Sequence, residues 1–139
     1  MKLISSVNIP NNWEELVELK PILPICTPEV ARLPDDLYFY QTYTELIPVE
    51  TRLKVVEKLI GNNNIALVKN NFPYTRLLQN LPQVKQYCLW SKEGGLSIDE
   101  IESQIKKVFP LKDFFWFENS NAVKSIPEIW HCHVFIKEN

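Results

Sequence analysis

The chain has 139 residues, 45% of them hydrophobic, and its 15 Lys and Arg against 17 Asp and Glu give a formal charge of −2. That content suits one compact domain, which at this length needs neither disulfide nor metal to fold. The near-neutral balance excludes the dense basic face that nucleic-acid backbones demand, and no apolar run reaches the ~18 residues of a membrane span.

From the N-terminus the signals are helical. Asn12 followed by Glu15 marks a helix start that Pro21 stops. Thr27-Pro28-Glu29 marks another, with a capping residue, a proline at the first helical position and an acid at the positive end of the dipole; Pro34 ends it. Leu37, Tyr40, Thr44 and Ile47 then recur at helical spacing within 35–47. Pro48 opens a further helix whose stripe is Val49, Leu53, Val56 and Ile60, closed by Gly61.

After residue 64 the period changes. Ile65 to Val68 and Gln83 to Ser91 read as strands, and Gly94-Gly95 breaks the second. Ser97 and Glu100 form a capping box for a helix faced by Ile98, Ile101, Ile105 and Val108, up to Pro110. Phe114-Phe115-Trp116-Phe117 is apolar on both faces and is therefore expected to be a central strand, and Ile129 to Ile136 make the last one. Helices followed by strand–strand–helix–strand–strand predict an α+β fold with a largely antiparallel sheet. Residues 1–62 are too sparsely apolar to stand alone, so 1–139 reads as a single domain, a helical segment packed on a core over 64–137. The N-terminal stretch is too short in apolar residues for a secretory signal, and the scattered Cys26, Cys88 and Cys132 fit a reducing, cytoplasmic setting.

The chain has only two histidines, His131 and His133, two residues apart in the last strand. Alternation puts Ile129, His131, His133 and Phe135 on one face and Trp130, Cys132, Val134 and Ile136 on the other, with the two imidazoles roughly 7 Å apart. Such a pair can be half-buried strand histidines bonded to backbone, two ligands of a metal, a nucleophile with a helper, or a phosphate-binding pair. A metal would need a third ligand from Glu118, Glu128 or Cys88, and no metal or other cofactor is expected. Glu118, Asn119, Ser120, Asn121, Lys124 and Ser125 precede the strand, and a loop of that composition either makes turns or offers amide, hydroxyl and ammonium donors to a phosphate. No nucleophile elbow, P-loop or dinucleotide glycine pattern is present. Cys88 and Cys132 lie in apolar strands, where thiols are inert.

Asn70-Asn71-Phe72-Pro73-Tyr74, the polar loop ending Lys124-Ser125-Ile126-Pro127, and His131-Cys132-His133-Val134-Phe135 resemble, over residues 64–137, the histidine-triad (HIT-like) proteins. Trp13-Glu14-Glu15-Leu16, Arg32-Leu33, Tyr40, Asn71-Phe72-Pro73-Tyr74, Leu89-Trp90-Ser91-Lys92, Trp116-Phe117-Glu118-Asn119 and the histidine strand resemble, over nearly the whole chain, a family represented by the fungal N-acetylglucosamine-induced protein 1, with members in large DNA viruses. That second family brings no activity with it. The histidine-triad resemblance implies a HIT-like fold, a homodimer, and a nucleotide or sugar phosphate as small-molecule partner. It also implies nucleotide phosphohydrolase or nucleotidyltransferase chemistry in which His131 or His133 attacks phosphorus. Asn119, Ser120, Lys124 and Ser125 would then hold phosphate oxygens, and Asn70, Phe72 and Tyr74 would border the nucleoside. The triad pattern has three histidines and only two exist here: with His131 central, Ile129 replaces the first, and with His133 central, Phe135 replaces the third, so the alternative is a non-catalytic interaction or ligand-binding module on the same scaffold.

Overall fold

A computed structural model describes residues 2–138. Five α-helices, α1 (Trp13–Glu18), α2 (Pro28–Ala31), α3 (Pro34–Leu46), α4 (Val49–Ile60) and α5 (Ile98–Val108), accompany four strands, β1 (Ile65–Lys69), β2 (Val84–Ser91), β3 (Asp113–Phe117) and β4 (Trp130–Lys137). The starts follow from capping chemistry. The Asn12 side chain accepts the Glu15 N–H, and Ser97 and Glu100 close a reciprocal capping box ahead of α5. Gly61, at φ +69°, supplies the left-handed turn that ends α4.

The strands form one antiparallel sheet in the order β1-β2-β4-β3. The sheet is covered on both sides. On one face Leu89, Cys132, Val134 and Ile136 pack against Ile101 and Ile105 of α5. On the other, Phe115, Phe117 and Phe135 meet Leu16, Leu23 and Val30 from the N-terminal helical segments. Further along that second face, Val56 and Ile60 of α4 pack against Cys88 and Trp90.

This two-sided cover corrects the expectation for β3. The strand is apolar on both faces yet lies at the sheet edge, with β2 and β4 in the centre. Phe114 and Trp116 serve the α5 side, and Phe115 and Phe117 the other. Continuous apolarity reports cover above and below a strand and says nothing of hydrogen-bonded neighbours to left and right. Among the described residues no helix is long and apolar enough to cross a membrane.

All three thiols are free and buried. Burial raises each of them above the ordinary thiol range, Cys88 to about 12. The native protein is therefore expected to release less than one equivalent of colour with a disulfide reagent at pH 8, and all three after unfolding in urea. A fast native equivalent would contradict the burial described.

Candidate functional site

The β2–β4 register builds the site. Cα partners Trp90↔His131, Cys88↔His133 and Gln86↔Phe135 stand side by side on one face, and Phe117 flanks His133 from β3. Both imidazoles point to the same side, their centroids 5.8 Å apart and their planes at 76°. They line a cavity of about 120 Å³ between this face of the sheet and the segments α2 to α4, room for on the order of ten water positions.

The two rings have different surroundings. His133 is locked. Gln86 Oε1 accepts the Tyr74 N–H at 2.6 Å, so its amide NH₂ faces His133 Nδ1 at 3.1 Å and donates to it. An Nδ1 that accepts places the ring proton on Nε2. The Asn119 amide lies 3.1 Å from Nε2 and must present its oxygen there, since two donors cannot face each other. The same end of that amide lies 3.4 Å from the Tyr74 hydroxyl, which can donate to an oxygen or accept from a nitrogen; burial pushes this phenol up to about 12, so it keeps its proton. With Phe117 stacked at 5.2 Å and both nitrogens bonded, His133 has no lone pair to offer a ligand.

His131 is open. Its Nδ1–H donates to the Ile129 carbonyl at 3.0 Å, and Trp90 stacks on the ring at 4.3 Å. The proton on Nδ1 leaves the lone pair on Nε2, which no described residue engages. Burial lowers the pKa of His131 and lowers that of His133 well below the ordinary imidazole value, the latter helped by the charges of His131 and Arg32. Both rings are neutral at pH 7.

Arginine supplies the charge. Arg32, 7% exposed, donates from Nε and Nη2 to the Phe72 carbonyl at 3.2 and 2.9 Å. Its guanidinium lies 3.8 Å over the Tyr40 ring. Arg52 donates to the Ile47 and Ser125 carbonyls, and Lys69 stands at the cavity edge. Among the described residues no aspartate or glutamate lines the cavity, and none is ion-paired with Arg32. A buried guanidinium held by one carbonyl and the faces of Tyr40 and Tyr74 has no carboxylate to balance its charge, and an anion relieves it.

Of the residues singled out in the sequence, His131, His133, Asn119, Ser125, Asn70, Phe72 and Tyr74 line this cavity. Asn70 is spent on a turn, its side chain accepting the Phe72 N–H at 2.8 Å. Ser120 and Lys124 lie elsewhere. The Ser120 N–H donates to the Pro24 carbonyl while its buried hydroxyl has no partner, and Lys124 pairs with Glu118 at 2.7 Å. Glu118 also accepts the Trp130 indole N–H. Among the described residues no group of three or more His, Cys, Asp or Glu is arranged to hold a metal. Sequence reasoning missed Arg32, Arg52 and Gln86. The signal for Arg32 was present: a lone arginine in the otherwise apolar run Val30-Ala31-Arg32-Leu33-Pro34 is costly to bury without a purpose.

Fold and cavity together describe an α+β protein with a four-stranded antiparallel sheet and, on one face, a cation-lined cavity that no carboxylate among the described residues lines. Its sequence is that of a distant homologue of the N-acetylglucosamine-induced protein 1 of Candida albicans, 30% identical over 94 residues. The match takes in 55% of this chain, less than the near-complete resemblance expected, and the chain spans about a third of that curated relative's length (35%). No family model matches. In fold the chain is similar to the crystal structure of HTC1, with a TM-score of 0.62, 91% of this chain and 85% of that one covered, and 18% identity, a likeness of fold alone.

Proposed function

We propose that the protein binds a phosphoester, a nucleotide or another organic phosphate, with the phosphoryl group between Arg32 and His131. The observation that carries this reading is the buried Arg32 guanidinium without a carboxylate, in one cavity with an imidazole whose lone pair is free. Charge-assisted donors on the wall of a partly enclosed cavity select such anions. The element order, with a polar loop leading into the histidine strand, supports a HIT-like scaffold. If the bound ester reacts, His131 Nε2 is the atom that attacks. A P–N bond forms, the P–O bond to the esterified group breaks and that group leaves with a proton from water; the hydroxide so formed attacks phosphorus, breaks the P–N bond and returns neutral His131 and phosphate.

A thermal-shift panel of inorganic phosphate, AMP, ADP and N-acetylglucosamine 6-phosphate tests the reading. A ligand at a hundredfold its Kd stabilises by about 2.7 kcal/mol, about 8 °C for a chain of this size. The shift should vanish in His131→Ala and persist at least in part in His133→Gln. No shift with any phosphate, or an undiminished shift in His131→Ala, would overturn it. Binding without a phosphohistidine adduct by intact mass would leave a non-catalytic ligand-binding module.

A further inference from the structure

Among the described residues two buried side-chain polar atoms have no hydrogen-bond partner, Thr27 Oγ1 and Ser120 Oγ. Ser120 stands outside the cavity, and Thr27 lines it. A threonine that precedes a helix ordinarily bonds its hydroxyl to an N–H of the first turn. Thr27 is the N-cap of α2, yet its hydroxyl makes no capping bond. Its backbone is fixed all the same: its N–H donates to the Ile4 carbonyl at 2.8 Å, and its carbonyl accepts the Val30 N–H at 3.1 Å. A buried hydroxyl left without a partner costs the folded chain free energy, and no contact of Thr27 offsets that cost.

Thr27, Pro28, Ala31 and Arg32 recur at the spacing of one helical turn, and all four line the cavity. The buried guanidinium and the unpartnered hydroxyl thus border the same space from the two ends of α2. The other polar side chains of the wall are differently placed. Asn71 is exposed and Tyr43 and Ser125 are half-buried, so water reaches them, whereas the Thr27 hydroxyl is shut off from it. One staggered step about χ1 exchanges the places of the threonine hydroxyl and methyl, so either branch can meet a bound group. We infer that the Thr27 hydroxyl is a third contact of the bound phosphoryl group, donating to one of its oxygens alongside Arg32 and His131. This inference rests on the phosphoester reading above and deepens it. Two of the three contacts then come from the N-terminal helical segment, and the strand that carries His131 supplies only one.

The test is calorimetric titration of the full chain with inorganic phosphate. Thr27→Val keeps the branched shape and removes the hydroxyl, and Thr27→Ser keeps the hydroxyl. Thr27→Val is expected to bind phosphate more weakly by about tenfold or more. It should nevertheless melt no lower than the unsubstituted chain, and higher by a few degrees, because an unpartnered buried hydroxyl is gone. Thr27→Ser should bind within about threefold of the unsubstituted chain. Weaker binding joined to equal or higher stability is a pairing that a hydroxyl serving only the fold does not give. Unchanged phosphate affinity in Thr27→Val, a lowered melting temperature in that variant, or a Thr27→Ser as weak as Thr27→Val overturns the Thr27 contact and leaves the phosphate site standing. Failure of the unsubstituted chain to bind either inorganic phosphate or AMP overturns the phosphate site and the contact with it.

Discussion

Arg32→Met is expected to weaken phosphate binding by roughly thirtyfold or more while moving the stability of the free protein by no more than about 2 kcal/mol. Truncating one member of a buried charge pair costs a complex about 2–5 kcal/mol, and the lower figure is already about thirtyfold in Kd. In the free protein, large terms oppose one another. Methionine forfeits the two donations to the Phe72 carbonyl and the stacking over Tyr40, bonds worth about 1.5–3 kcal/mol each when one partner is charged. It also removes a guanidinium that is buried without a counter-ion, a cost of several kcal/mol. A residue that is expensive in the empty protein and indispensable in the loaded one is the mark of a binding group. Arg32→Lys should fall between, because an ammonium keeps the charge and loses the fork that grips one carbonyl with two N–H groups. Urea melts and calorimetric titrations measure the two halves separately. Phosphate affinity within threefold of the original would remove Arg32 from the site.

Much of this architecture was legible in order and little of it in depth. Caps and prolines announced the helices because they act on their nearest neighbours: Asn12, Ser97 and Gly61 all do locally what their residue types do anywhere. Strand alternation likewise placed His131 and His133 on one face, a matter of pleat geometry alone. The sheet order was hidden, since the same apolar run Phe114–Phe117 satisfies a central strand or a covered edge, and only pairing across the chain decides. The difference between the two imidazoles was hidden too. His133 is locked by Gln86 and Asn119, forty-seven and fourteen positions away, and His131 is left open by a bond to its own strand. Equal letters in a strand acquired unequal chemistry from partners that no local pattern reveals. Lys124 illustrates the converse: its ammonium suits a phosphate by type, but Glu118 six positions earlier takes it first.

Lowering the pH from 7 to 5 should destabilise the protein by up to about 4 kcal/mol before its carboxylates begin to protonate. Both histidines are held below their ordinary pKa in the folded chain, chiefly by burial, and return to about 6.5 on unfolding. Above 6.5 neither state binds the proton and the stability is complete. Below it the unfolded chain takes up protons that the folded one refuses, and each group removes about 1.4 kcal/mol per pH unit until its folded pKa is reached. His133 should carry the steeper share, since Arg32 and His131 add their repulsion to its burial, whereas His131 has the Ile129 carbonyl and Glu118 to favour its charge and only Lys124 to oppose it alongside burial. His133→Gln, which keeps an amide between Gln86 and Asn119, should cut the slope of urea stability against pH by about half. A level profile between pH 6.5 and 5, or one indifferent to His133→Gln, would mean that the rings protonate freely in the folded protein. Saturating sulfate, doubly negative throughout this range, should flatten the slope as well, because an anion seated against Arg32 and His131 raises the folded pKa of the imidazole it touches. The same two charges that make the empty cavity acid-sensitive would then make ligand binding tighten as the pH falls.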